Sequence, residues 1–183
     1  MGASRRLDDD AARERFDAIW GACYGDVHRY ALRRAPDAAR DVTAEVFLVA
    51  WRRIGDVPDD ALPWLLGVAR RTIANARRAD GRRRALGERL RGGVAPPAGD
   101  PSETLSGGRL AAAFARLPPR DREVLALLAW EGLDPGRAAR ALGCTRAALA
   151  VRLHRARRRL ERELGGSEPA RTDDPTTSEE PTA

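Results

Sequence analysis

The sequence predicts an all-α protein: two small helical domains joined by a flexible linker, the second containing a helix-turn-helix. Three observations lead there. Apolar residues recur at intervals of three and four through residues 12–91 and again through 110–164, and strand-like alternation is absent. Between these stretches, GGVAPPAGDPSETLSGG has the Gly, Pro and Ser content of a flexible connector. Within the second stretch, cap residues and a glycine stand where two short helices and a tight turn need them. The expected division is an N-terminus without structure (1–11), a first helical domain (12–91), a linker (92–109), a second domain (110–164) and an acidic tail without structure (165–183).

In the first domain, Phe16, Ile19, Trp20, Cys23, Val27 and Tyr30 recur at helical spacing until Pro36 ends the run. A second helix carries Val42, Val46, Phe47, Val49, Ala50 and Ile54, with Asp41 near its start. Its apolar arc is wider than one core face needs. A third helix runs from about Leu62 towards Arg84, with Leu65, Val68, Ala69, Thr72, Ile73 and Ala76 directed inward. In the linker, a random coil would set the domain ends roughly 25 Å apart, and roughly 60 Å when stretched, about two turns of a nucleic-acid duplex.

The second domain opens with an apolar stripe of Leu110, Ala113, Phe114 and Leu117, broken by Pro118 and Pro119. A helix with Val124, Leu127, Leu128 and Trp130 follows, closed by Gly132. Asp134 is placed as an N-cap and Pro135 as the first helical residue, where its missing N–H is harmless. Ala138, Ala139 and Leu142 form the inner face of that short helix, and Gly143 supplies the positive φ of the turn. Thr145 caps the last helix, whose inner face is Leu149, Leu153, Ala156, Leu160 and Leu164. The tail, GSEPARTDDPTTSEEPTA, has no apolar periodicity.

The charge follows these divisions. All 33 basic residues are Arg, a fixed charge with a planar fork that suits phosphates and guanine edges. Net charge is +5 over residues 1–91, −1 over 92–109, +6 over 110–164 and −4 over 165–183. A polyanion is therefore the first partner to consider for both domains. On the last helix Arg152, Arg155, Arg159 and Arg162 recur by three and four as one cationic stripe, and Arg146 lies at the end that enters the major groove in helix-turn-helix proteins. By position, Arg146 and Arg152 should read base edges, and Arg155, Arg159 and Arg162 should hold phosphates. A solvated basic face would explain the stripe alone, but not its coincidence with two capped helices and a glycine turn.

Other chemistry is poorly provided for. Cys23 and Cys144 are too few and too far apart for a disulfide framework or zinc site, and suit buried thiols in a reducing compartment. The only histidines, His28 and His154, lack an adjacent acid pair, and no phosphate-cradling Gly loop precedes a helix. No apolar run is long enough to cross a bilayer, and the first ten residues lack a signal-peptide core. The expectation is a soluble cytoplasmic protein that is not an enzyme and takes no cofactor or metal.

LPPRDREVLALLAWEGLDPGRAARALGCTRAALAVRLHRARRRL (Leu117–Leu160) resembles the fourth conserved region of bacterial RNA polymerase sigma factors of the extracytoplasmic-function (ECF) type. RDVTAEVFLVAWRRI (Arg40–Ile54) and PWLLGVARRTIANARRADGRRR (Pro63–Arg84) resemble the second region. The resemblance spans about residues 12–164 and implies two partners, core RNA polymerase and promoter DNA, and admits an anti-sigma factor as a third. It implies that the second helix docks on the polymerase, through Asp41, Val42, Glu45, Phe47 and Trp51. The third helix would engage the −10 element through Arg70, Arg71, Asn75, Arg77 and Arg78, which the spacing puts on one face with Asn75 at its border. The Gly55–Pro63 loop falls where the family holds an extruded base, and here it contains no aromatic residue. The arginines of the last helix would take the −35 element. The chain departs from the family pattern at Ala44, where Gln is usual, at Arg71, where Asn is usual, and at Ala150–Val151, where Lys-Ser is frequent. The alternative is a free-standing helix-turn-helix regulator, which would need a dimer interface or ligand pocket in residues 12–91.

Overall fold

The computed structural model describes the backbone of residues 2–91 and 108–165 and the side chains of 9–83 and 108–165. Seven α-helices carry the described fold: α1 (Gly2–Arg34), α2 (Ala39–Arg52), α3 (Ala61–Arg91), α4 (Arg109–Arg116), α5 (Pro119–Ala129), α6 (Pro135–Leu142) and α7 (Arg146–Gly165). Short 3₁₀ turns at Pro36–Ala38 and Ile54–Asp56 flank α2, and no strand occurs among the described residues. Apart from Gly108, Arg109 and Gly165, the expected linker and acidic tail lie outside the described residues. Because α1 begins at Gly2, the backbone of residues 2–11, expected to lack structure, is helical. No Pro interrupts it, and Arg13 pairs with Asp10 one turn back at 3.5 Å.

Helices α1, α2 and α3 form a three-helix unit around Val27, Tyr30, Val46, Phe47, Leu65 and Leu66, all but removed from solvent. Pro36 ends α1 because its ring cannot continue the helical hydrogen bonding. Two residues expected inside are outside: Trp20 is 41 % exposed, and Ala76 lies on the solvent side of α3. Trp20 keeps its ring on Phe47, 4.5 Å between centroids, so it caps the core from the edge.

In the second unit, α4 and α5 pack on α7 around Phe114, Leu117 and Ala126, with the Phe114 and Trp130 rings 4.8 Å apart. The expected stripe of α4 is rotated: Ala111 is buried, and Leu110 is 54 % exposed. Gly132 and Gly143 both adopt positive φ (62° and 64°), closing α5 and turning α6 into α7.

The two units do not sit apart. Val124, Leu127, Leu133, Ala138, Ala139, Ala141 and Leu149 join the apolar core of α1–α3 in one continuous cluster. Helix α6 lies against α3 so closely that a Cβ on Gly67 would stand 3.1 Å from the Ala141 carbonyl oxygen. Beside this contact α1 meets α5. Tyr30 donates its hydroxyl to Glu123 Oε1 at 2.7 Å, and Arg34 donates Nε to Glu123 Oε2 and Nη1 to Glu131 Oε1, each at 2.9 Å. Arg33 also pairs with Glu131. Burial opposes the charge of Arg34, but Tyr30, Glu123 and Glu131 outweigh it and keep the guanidinium protonated. Asp60, before α3, takes a bidentate contact from Arg137 (2.7 and 3.1 Å) and a further one from Arg140.

Candidate nucleic-acid interface

The helix-turn-helix is built by local chemistry. Asp134 accepts the backbone N–H groups of Gly136 (2.7 Å) and Arg137 (3.0 Å), otherwise orphaned at the start of α6. These bonds, that from Arg137 foremost, hold its carboxyl below the usual range. Thr145 Oγ1 accepts the Ala148 N–H at 3.1 Å and caps α7. Leu149 and Ala156 are buried against α5 and α6, with Leu153, Leu160 and Leu164 half-buried along the same line, as the spacing predicts.

Arg146, Arg152, Arg155, Arg159 and Arg162 are all exposed on α7. Their orientations differ. Arg152, Arg155 and Arg159 line a cleft between the two units, and Arg159 donates to Asp121 at 2.5 Å. Arg146 stands on the other side of the buried stripe, its guanidinium 3.8 Å from where a Cβ on Gly136 would be. The face of α7 pointing farthest from the core carries Ala147, Val151, His154, Arg158 and Arg162, with Val151 half exposed. Sequence reasoning weighted the arginines and noted Val151 only as a departure from the family pattern; an apolar residue opposite a helix's buried face was the available signal.

On α3 the five residues expected on one face separate into two, because a one-residue step turns the helix by about 100°. Arg70 and Arg77 line the inter-unit cleft, and Arg77 Nη2 donates to the Arg34 carbonyl at 2.6 Å. Arg71, Asn75 and Arg78 lie on the neighbouring exposed face, where Arg78 donates to the Asn75 side-chain oxygen.

On α2, Asp41, Glu45 and Trp51 are exposed, whereas Val42 and Phe47 are buried and belong to the core. The wide apolar arc of α2 is accounted for by contacts with both α1 and α3. An apolar patch exists nonetheless, shifted towards α1. Trp20, Tyr24, Leu48 and Trp51 are each about two-fifths exposed, around the edge of Phe47 and of Phe16, whose ring lies 5.3 Å from that of Trp51. Contiguous exposed aromatics beside acidic residues mark an interaction surface. Trp20 was missed because helical spacing assigns it inward, and Tyr24, one turn further on, was not singled out.

Among the described residues no group of His, Cys, Asp and Glu is arranged to hold a metal ion, and no helix is long and apolar enough to cross a membrane. Burial, foremost, raises the Cys23 thiol.

Comparison with known proteins agrees with this architecture. Residues 19–83 match the family Sigma-70 region 2, and residues 107–160 match Sigma-70, region 4. The chain is 35 % identical over 148 residues to the ECF RNA polymerase sigma factor SigL of Mycobacterium tuberculosis, covering 75 % of this chain and 83 % of SigL. It is 36 % identical over 141 residues to SigD of Mycobacterium bovis, covering 73 % and 66 %. In fold it is similar to the sigma factor RpoE of Bartonella quintana, solved with the anti-sigma factor NepR, at a TM-score of 0.61, 21 % identity and coverage of 84 % of this chain and 98 % of that one. With both regions present in order and 83 % of SigL covered at 35 % identity, the chain belongs to the ECF RNA polymerase sigma factors and acts in transcription initiation.

Proposed function

We propose that the chain binds core RNA polymerase through the Trp20–Tyr24–Leu48–Trp51 patch and the adjoining Asp41 and Glu45, and recruits it to a two-part promoter. The α7 surface takes the upstream, −35-like element, and the α3 surface takes the −10-like element. The observation that carries this reading is the placement of two separate arginine-bearing helices, one per unit, with an aromatic and acidic patch away from both. On α7, Arg155 borders the outward face of Val151, His154 and Arg162, so base reading falls to that face and its border, with Arg146 at the helix's N-terminal end beside α6. Arg152, expected from its place along the helix to read bases, lies with Arg159 on the cleft side and suits phosphates, as does Arg162 towards the helix's end. On α3, Asn75 and Arg78 supply an amide and a guanidinium to a base edge, with Arg71 beside them for the backbone. The protein works in the cytoplasm and does no covalent chemistry of its own. Because the RpoE structure contains an anti-sigma factor, a protein inhibitor of the same kind is a third partner for this chain.

The test is initiation from a promoter library by purified chain plus core polymerase. Start sites that need both components are expected, and tight sequence-specific binding by the chain alone would instead favour a free-standing regulator. Trp51→Ala is expected to weaken polymerase binding with the fold retained by circular dichroism. Unchanged polymerase affinity in a folded variant would remove the docking role of Trp51.

A further inference from the structure

Between α1, α3, α5 and α7 lies a cleft of about 850 Å³, within reach of the size of small-molecule sites. Seven arginines line it against two carboxylates, Asp121 and Glu123, both already engaged by arginines. Arg70, Arg120, Arg152 and Arg155 pair with no carboxylate among the described residues. Such a cluster of fixed charge repels itself, and the two wall carboxylates, already paired, leave most of it unbalanced. A second observation points inward. Arg34 is only 8 % exposed, and its Nη2, like Nε of Arg70, is buried without an acceptor. A buried N–H donor left unpaired is unfavourable, and both donors belong to residues that line this space.

We infer that the cleft is a binding site for a small polyphosphate-bearing anion. Guanidinium forks match phosphate oxygens two at a time, and arginines spread over four helices suit several linked phosphates better than one. No base-stacking surface is offered. Among the described residues Tyr30 is the only aromatic in the lining, and the Arg34 guanidinium covers its ring at 3.6 Å. The phosphate chain, not an attached base, is therefore what the cleft recognises. An anion held there bridges both units and favours their apposed arrangement.

The test is calorimetric titration of the full chain, without DNA or polymerase, with sodium tripolyphosphate, a nucleoside triphosphate and inorganic phosphate at about 0.15 M salt. One tripolyphosphate per chain is expected, with the nucleoside triphosphate similar and inorganic phosphate at least roughly tenfold weaker. Arg70→Ala and Arg152→Ala should each weaken tripolyphosphate by roughly tenfold, while Arg157→Ala, an equal loss of charge outside the cleft, should change it less than about twofold. Arg152 is exposed on α7, so its variant decides the matter if Arg70→Ala fails to fold. Equal weakening by Arg157→Ala, several anions per chain, or no heat of binding would overturn the site. Binding that appears only after residues 166–183 are removed would also overturn it, by showing that the chain's own acidic end fills the cleft.

Discussion

At the scale of single residues, the best-determined positions are those where backbone geometry leaves few choices. Gly143 sits at φ 64° with nothing near a hypothetical Cβ, so its cost on substitution is conformational and not steric. Gly143→Ala should destabilise the protein by about 1 kcal/mol, and Gly143→Asn by less, because Asn tolerates the left-handed region. Urea unfolding of the two variants checks the order; equal stability of wild type and the Ala variant would mean the turn relaxes. Asp134 makes a pH prediction. Its carboxyl is held low by the backbone N–H groups of Arg137 and Gly136, so the folded state prefers the charged form. The cap's contribution is then complete above the unfolded carboxylate value near 3.9 and is lost as pH falls through the lower folded value. Asp134→Asn should therefore differ most from wild type in thermal stability at neutral pH and converge with it in acid. A gap that persists below pH about 2 would show that charge is not the cause.

At the scale of elements, α6, the turn and α7 were legible in the sequence because every signal is local: Asp134 two residues from Gly136, Gly143 in the turn, Thr145 three residues before Ala148. The faces of α3 and α4 were less so. Leu110 and Ala76 satisfy a spacing rule and still face water, since periodicity fixes a helix's stripe only to within a residue or two of rotation. The α1–α5 contact was not legible at all. Tyr30 and Glu123 stand 93 positions apart and Arg34 and Glu131 97 apart, and nothing near any of them in the chain announces its partner. The contact still sets a firm expectation. Glu131 is 4 % exposed and holds two arginines, so truncating it leaves buried positive charge uncompensated. Glu131→Ala should cost about 3–5 kcal/mol in urea unfolding, far more than removing Asp56, whose pair with Arg53 is open to solvent. A loss below about 1 kcal/mol would mean that water reaches the pair.

At the scale of the whole molecule, the apposition of the two units bears directly on how a sigma factor of this kind finds DNA. Arg70 and Arg77 of α3 and Arg152, Arg155 and Arg159 of α7, expected from the sequence to meet the −10-like and −35-like elements, face one another across one cleft. If α3 and α7 take the two promoter elements as proposed, elements separated by turns of duplex cannot both be engaged from that arrangement, and the units must part. Gly67 offers a way to force this without altering charge. Replacing it with Leu puts a side chain where even a Cβ would be 3.1 Å from the Ala141 carbonyl oxygen of α6, while a better helix former is placed within α3. The variant should keep its helical content and show a larger radius of gyration by small-angle scattering. Free of polymerase, it should also bind duplex DNA with a steeper salt dependence, because arginines turned into the cleft become available to phosphates. Each added phosphate contact contributes a slope of about −0.9 in log affinity against log salt, so two or three recovered arginines predict a change of about −2 to −3. If scattering shows separation but the slope is unchanged, the cleft arginines do not meet DNA, and the assignment of Arg70, Arg77 and Arg152 to promoter contacts fails. If neither quantity moves, α3 and α6 have accommodated the side chain, and the units stay held by the apolar cluster, the Asp60 pairs with Arg137 and Arg140, and the α1–α5 contact together. Combining Gly67→Leu with Glu131→Gln, which also weakens the pairs of Arg33 and Arg34 with Glu131, should then shift both quantities if these contacts share the load.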